Sequence, residues 1–283
     1  MGITTSSDLN GLYNAIYERA AFVAREMNLM VNLVSNYSDT TFHARKLTSR
    51  PSLTAETATE GVDYSNPQDF GRTLVSTLTP AEAIAQAILT DVDVKNDPDN
   101  AMMDASQELG AAIATKIDVD LTGVFASFTT DKGPGASQSA TLAKVAAGIA
   151  VVRANHATTP IYVVLHPYQW HDIWTALGQP AATYSLLGEV ANQALREYFV
   201  GQWLGVNWFT SANIAVDGSD DAVGGIFNPQ AIAFDGRQEP TLEPERDASL
   251  RATELNMVAG YAVGLGKQPS MGVKYTSDAS VPS

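Results

Sequence analysis

Two of the chain's four histidines stand in one short stretch, YVVLHPYQWHDIW (Tyr162 to Trp174), with Trp170, Asp172 and Trp174 beside them. Side chains of these types could bind a divalent metal or run acid–base chemistry. Metal ligands on a helix sit three or four residues apart, because about 100° per residue then brings both to one face. His166 and His171 are five apart, which on a helix sets them at roughly 140°. No Glu stands where a metalloprotease base belongs, and Pro167 makes His166 a strand-end or capping residue. His171 lies beside a stripe of Trp170, Ile173, Trp174 and Leu177, spaced as the buried face of a helix. The stretch reads as a strand entering a helix.

Other arrangements fail on spacing as well. GYAVGLGKQ (Gly260 to Gln268) resembles a phosphate-binding loop, but one residue too many precedes Gly266-Lys267, and Gln268 replaces the Mg²⁺-binding hydroxyl. GASQS (Gly135 to Ser139) lacks the final Gly of a nucleophile elbow. In DVDVKNDPDN (Asp91 to Asn100), Lys95 and Asn96 stand where a Ca²⁺ loop needs a ligand and a Gly, so helix capping and a solvated turn account for its carboxylates. Asn36-Tyr37-Ser38 is a glycosylation triplet without secretory context. There are no cysteines, hence no disulfide, thiolate nucleophile or Cys-ligated metal. The expectation is a protein that is not an enzyme, with no catalytic residue, cofactor or metal.

The elements that position these residues make a mixed chain. Leu9, Tyr13, Ile16, Ala20, Val23, Met27, Met30 and Val34 alternate spacings of four and three, which predicts one amphipathic helix roughly 38 Å long. TFHARKLTS and FGRTLVSTLT are candidate strands around a polar, turn-rich segment, and they predict a long hairpin with little apolar surface of its own. An isolated hairpin is marginal in water, so it needs something to lie against, a neighbouring chain being the natural candidate. Asp97 as N-cap, Pro98 at N1 and Asp99 in the first turn open a second long helix that ends before Phe128. Met102, Leu109, Ile113, Ile117, Leu121 and Val124 form its apolar face. A third helix runs from Ala140 to about Asn155, with Leu142, Val145, Ala146, Ile149 and Val152 buried. PIYVVL is a short apolar strand, and a further helix covers about Ser185 to Val200. The remainder is mainly strands separated by Gly, Asn and Asp turns. The class is α+β.

Composition narrows the partners. There are 31 acidic against 17 basic side chains, a formal charge of -14, which opposes nonspecific nucleic-acid binding and attachment to anionic membranes. MGITTSSDLN contains no readable signal peptide. The uncharged run from Tyr198 to Val216 is broken by Gly201, Gly205 and several amides and hydroxyls, so a membrane span is rejected.

The order of elements resembles the major capsid proteins of tailed bacteriophages, with their Hong Kong 97-type fold. IYVVLHPYQWHDIWTAL is similar to that family's strand-then-helix segment, with Trp170 three residues after Pro167. LGVNWFTSANIA and GGIFNPQAIAFDGR are similar to its paired axial strands. ERDASLRATELNMVAGYAVGLGKQPSMGVKY resembles its β return, with Arg251 and Thr253 ahead of the final strands. The resemblance implies an N-terminal arm over 1–40, an extended hairpin loop over 41–80, and a peripheral domain with a long spine helix over 81–158. An axial domain over 159–235 and a β return over 236–283 complete it. It further implies self-assembly into hexamers and pentamers of an icosahedral shell in the virion, enclosing double-stranded DNA without specific binding. Assembly in the host bacterial cytoplasm, a scaffolding protein, a portal and a decoration protein belong to the same expectation. No fused scaffolding extension is visible before the arm. Subunit contacts are expected at Tyr13, Ile16 and Val23 of the arm, at the hairpin's Arg45, Arg50 and Arg72, and at Arg246 and Arg251 of the return. An encapsulin-like compartment and a soluble α/β hydrolytic enzyme are the competing readings.

Overall fold

The computed structural model describes residues 29–96, 98–178 and 201–282. Most of the predicted first helix, including Tyr13, Ile16 and Val23, lies outside them, as do Asp97 and the helix expected over Ser185 to Val200. Where the first helix was expected to continue, Met30–Leu33 form a single 3₁₀ turn and Val34 is extended. The reason is the next element: strand β1 (Ser35–Ser38) pairs in parallel with Ala233 to Gly236, and an extended backbone must be in place by Ser35.

The hairpin forms as expected, from β2 (Arg45–Ser49) and β3 (Thr73–Leu78) in antiparallel register. Its root packs on its own chain, however. Leu47 and Leu78 are buried against Ala233 and Ala262. Only the connecting residues, 50–72, remain uniformly exposed.

Strand β4 (Ala81–Thr90) leads into a short helix α1 (Asp91–Asn96) and the spine helix α2 (Pro98–Gly123). Ala105, Leu109, Ile113, Ile117 and Leu121, each four residues from the next, bury one side of α2. A 3₁₀ turn, Val124–Ser127, ends it with Phe125 buried. Helix α3 (Leu142–Ala154) buries Leu142, Val145, Ile149 and Val152 as predicted. Ala146 is exposed and Gly148 takes its place, since Ile226 lies where any side chain on that glycine would stand.

Strand β5 (Tyr162–Leu165) runs into helix α4 (Pro167–Gly178), where Trp170, Ile173 and Leu177 are buried and Trp174 is half-buried. Strands β6 (Gln202–Trp203), β7 (Val206–Thr210), β8 (Asp221–Phe227), β9 (Ile232–Asp247), β10 (Ala252–Leu265) and β11 (Gly272–Asp278) follow.

These strands make two main sheets, ordered β1-β9-β10-β4 and β11-β8-β5-β7-β6. The five-stranded sheet is covered on both faces, which is why β5 is apolar throughout rather than alternating. Val163, Leu165, Val273 and Tyr275 face α3 and α4, while Val164 and Phe227 meet Phe125 and the end of α2. The four-stranded sheet lays Leu255, Met257 and Ala259 on the spine helix, with Ala83, Ala85 and Ala87 beside them. Segment 236–283 divides between the two: β9 and β10 stay in the four-stranded sheet, whereas β11 joins β8. Beyond Gly236, β9 has no strand on its far side among the described residues, and Pro240 and Pro244 punctuate that edge. Among the described residues no helix is long and apolar enough to cross a membrane.

Candidate interaction surface

The residues that first suggested chemistry are absorbed by the fold. His166 is buried where β5 enters α4, its Nδ1 accepting from the Tyr168 N–H at 3.3 Å. Burial pushes its pKa below the ordinary value and keeps the ring neutral. Its own N–H donates to Gln169 Oε1, and Gln169 Nε2 donates to Ala222 O and Ser277 Oγ, each at 2.9 Å. The junction therefore ties α4 to β8 and β11. The glycines of GYAVGLGKQ serve close packing: a Cβ on Gly266 would stand 2.2 Å from Gln230 O. Among the described residues no group of three His, Asp or Glu side chains could hold a metal.

The strongest electrostatic feature is an ionic joint between the hairpin root and the sheet. Asp235, fully buried on β9, accepts from Arg45 Nε of β2 at 2.8 Å and from Arg237 Nη2. Arg45 also donates to Ser38 O at 3.1 Å, and Arg237 pairs with Asp39 at 3.2 Å. The bond to Asp235 raises the pKa of Arg45 further, against the opposing effect of burial. Two cations and two carboxylates thus lock the hairpin against β9 and pair the buried charge of Asp235.

Of the residues expected at contacts, Arg45 is committed to this joint. Arg246 is a bidentate partner of Asp91 at 2.7 and 2.8 Å, and Arg251, exposed and at φ 53°, lies 3.9 Å from the same carboxylate. Those bonds hold Asp91 below its usual pKa. Arg50 lies over the Phe70 ring at 4.7 Å on the hairpin, and Arg72 is exposed close by. Tyr13, Ile16 and Val23 belong to the undescribed segment. Arg45 of the hairpin thus shares Asp235 with Arg237; Arg246 and Arg251 share Asp91, and Arg50 and Arg72 stay on the hairpin.

Sequence reasoning missed Asp118, Asp235 and Arg237, and it missed the outer face of β4. On that face Ile84 and Ile88 are 66 % and 48 % exposed. Beside them Glu254 of β10 stands directly opposite Glu245 of β9, a like-charge pairing that weakens a sheet, with Gln86 bonded to Glu254. The hairpin's connecting residues expose Leu53, Val62, Tyr64 and Phe70. They are held among themselves by side-chain bonds such as Gln68 to Thr54 and Asn66 to Glu56. Two surfaces thus leave apolar side chains largely in solvent, the mark of a protein that works against other proteins.

Comparisons with known proteins agree with this picture. Residues 81–275 match a family model described as phage capsid protein. No curated protein matches the sequence. Among solved structures, one from Mycobacterium phage Che8 superposes with a TM-score of 0.68 at 18% identity, covering 88% of this chain and 90% of its own. The mature capsid of bacteriophage PhiM1 gives 0.65 at 15% identity, over 90% of this chain and 88% of its own. A virus-like particle from Pyrococcus furiosus gives 0.54 at 9% identity, over 93% and 98%.

Proposed function

The chain belongs to the phage capsid protein family, with the Hong Kong 97-type fold, and on that footing we propose that it builds a tailed phage's head as its major capsid protein. Copies assemble as hexamers and pentamers into an icosahedral shell around double-stranded DNA, and the protein resides in the virion. The observation that carries the reading is the contrast within one subunit. A complete inner core is joined to a hairpin tip and a sheet face that have no counterpart among the described residues of the chain itself. A monomeric enzyme has no use for either, whereas a shell subunit needs several such surfaces.

The charge of -14 suits a container: a wall poor in Lys and Arg lets DNA be packed and released without gripping its phosphates. Assembly in the host bacterial cytoplasm with a scaffolding protein and a portal, and later addition of a decoration protein, are part of the proposal. So is the division into an arm over 1–40, a hairpin loop over 41–80, a peripheral domain over 81–158, an axial domain over 159–235 and a return over 236–283. Contacts through Tyr13, Ile16, Val23, Arg50, Arg72 and the exposed Arg251 belong to it too. Arg45 and Arg246 serve such contacts indirectly, by fixing the hairpin root and the distal end of the return. The Pyrococcus particle shares the fold, but the phage capsid family match favours a virion over an encapsulin-like cargo compartment.

The test is to express the chain alone and with a candidate scaffolding protein, then examine it by size-exclusion chromatography and negative-stain electron microscopy. Hollow shells tens of nanometres across are expected (roughly, from the closed symmetry of such assemblies). A monodisperse monomer or dimer in both preparations would overturn the assignment.

A further inference from the structure

Strand β4 has a sequence that reads nearly the same in both directions. From Gln86 the segment 82–90 (EAIAQAILT) runs outward either way through an alanine and an isoleucine. Next come Ala83 and Leu89, then the polar Glu82 and Thr90. Glu82, Ile84, Gln86 and Ile88 are exposed on the outer face, whereas Ala83, Ala85, Ala87 and Leu89 pack toward the spine helix. All ten residues of β4 pair with β10 without a register shift. Among the described residues β4 is the last strand of its sheet. That edge is long and regular and contains neither Pro nor Lys, two of the devices that blunt an edge against further pairing.

A strand of this pattern is complementary to itself. Set antiparallel to a second copy about a two-fold axis through Gln86, each Ile84 faces the other copy's Ile88. Ala85 then faces Ala87, Ala83 faces Leu89, and Glu82 faces Thr90 rather than another carboxylate. Branched apolar pairs of this kind stabilise a sheet, and opposed residues share a face, so the two outer faces join and both spine helices lie beneath. Gln86 meets its own copy on the axis. A charged residue there would oppose its like, whereas an amide both donates and accepts. Its Nε2 donates to Glu254 at 3.1 Å, and its Oε1 and second N–H can serve the mate. Sliding the second copy two residues either way sets both isoleucines against Glu82, Gln86 or Thr90. One register is therefore favoured.

We propose that β4 pairs edge to edge with β4 of a second copy, antiparallel and centred on Gln86, joining two four-stranded sheets into one of eight strands. The inference rests on the shell reading, since a closed icosahedral assembly brings copies together about two-fold axes. The occupant is a second copy because a palindrome serves a strand that meets itself and gives no advantage to a different one. The other side of the sheet lacks these properties: β9 carries Pro240 and Pro244, and its pairing with β10 shifts register between Val258 and Tyr261.

Disulfide trapping on the full chain tests this, and the chain has no cysteine of its own to interfere. Opposed residues of an antiparallel pair have Cα atoms about 4.5 or about 5.5 Å apart, both within disulfide range. Assembled Gln86→Cys, oxidised with copper phenanthroline and run on denaturing gels without reductant, should give a covalent dimer. In Ile84→Cys the thiol is equally exposed but lies roughly 14 Å along the strand from its mate, so dimer yield should be at least about tenfold lower. Adding Ile88→Cys to Ile84→Cys should restore it. If Gln86→Cys does not accumulate, that double variant against Ile84→Cys alone still decides. Shells that form with no dimer, or with equal dimer from Gln86→Cys and Ile84→Cys, would overturn the pairing, give the edge to another occupant and leave the shell reading intact. Register-specific dimers in a preparation without shells would support the pairing and overturn the shell reading. Neither shells nor dimers would overturn both.

Discussion

The two main sheets are built from similar material and completed in different ways. The five-stranded sheet is enclosed, with α3 and α4 on one face and the aromatic cluster of Phe125, Phe128 and Phe227 on the other. The four-stranded sheet rests on the spine helix by one face only. The hairpin root covers part of its outer face, through Leu47 and Leu78, and leaves Ile84, Ile88 and the Glu245–Glu254 pair in solvent. One sheet is closed on both faces, and the other keeps part of its outer face open among the described residues. Closed core and open surface are therefore found in separate regions of the subunit.

The comparison is most sharply broken in the enclosed sheet. Trp170→Ala, removing the largest fully buried side chain over that sheet, should cost about 3–5 kcal/mol, measured by denaturant unfolding of the unassembled subunit. A similar substitution that cost almost nothing would show that the sheet is not closed in the subunit. Next comes the joint between the hairpin root and the four-stranded sheet. Arg237→Leu leaves the buried Asp235 with Arg45 alone, and a loss of about 2–3 kcal/mol is expected, together with faster proteolysis of the hairpin.

A smaller effect belongs to Tyr275, whose hydroxyl donates to Thr141 O and accepts the Thr141 N–H. Tyr275→Phe should cost about 1 kcal/mol at neutral pH. Burial pushes the Tyr275 pKa up to about 12 from 10.0, so the folded state holds its proton longer than the unfolded one. That contribution is complete below pH 10 and is lost as pH rises through 12. Tyr275→Phe should therefore unfold less steeply in alkali than wild type, by circular dichroism. Last, Ile84→Ser combined with Ile88→Ser should leave subunit stability within about 0.5 kcal/mol, while the yield of shells seen by electron microscopy falls severalfold. Equal shell yield from that variant would remove the outer face from the assembly surface.

What could be read from the sequence divides along the same line. The apolar stripe of α2, the strand–helix junction at His166 and the hairpin strands were legible because each signal is local, a period or a cap within a few residues. Strand β4 was not read. In AEAIAQAILT the inward positions are mostly alanines and the outward ones include Ile84 and Ile88, so the polar–apolar alternation that marks a half-buried strand is absent. The parallel pairing of β1 with β9 and the joint between Arg45 and Asp235 unite residues about 190 positions apart, for which a single sequence holds no local cue. Asp118 did leave a trace: a carboxylate one residue after Ile117 and three before Leu121 falls inside the buried arc of the helix. A charge in such a place asks for a partner, and the helical spacing alone is enough to raise that question. The contact residues chosen on the arm and hairpin rested on the family resemblance and on exposed charge. For that reason two of the arginines, Arg45 and Arg246, turn out to have work within the chain.

The prolines of β9 bear on how a second chain could approach. A free strand edge is a template for further pairing, and residues without an N–H blunt it. On one side of the four-stranded sheet, the distal half of β9 is interrupted at Pro240 and Pro244. On the other side the ten residues of β4 contain no proline. Beyond β1, the distal half of β9 is thus blunted as a pairing edge, while β4 at the opposite side of the sheet keeps an edge free of proline. A strand laid along the distal part of this sheet would therefore meet an open ladder at β4 and a broken one at β9.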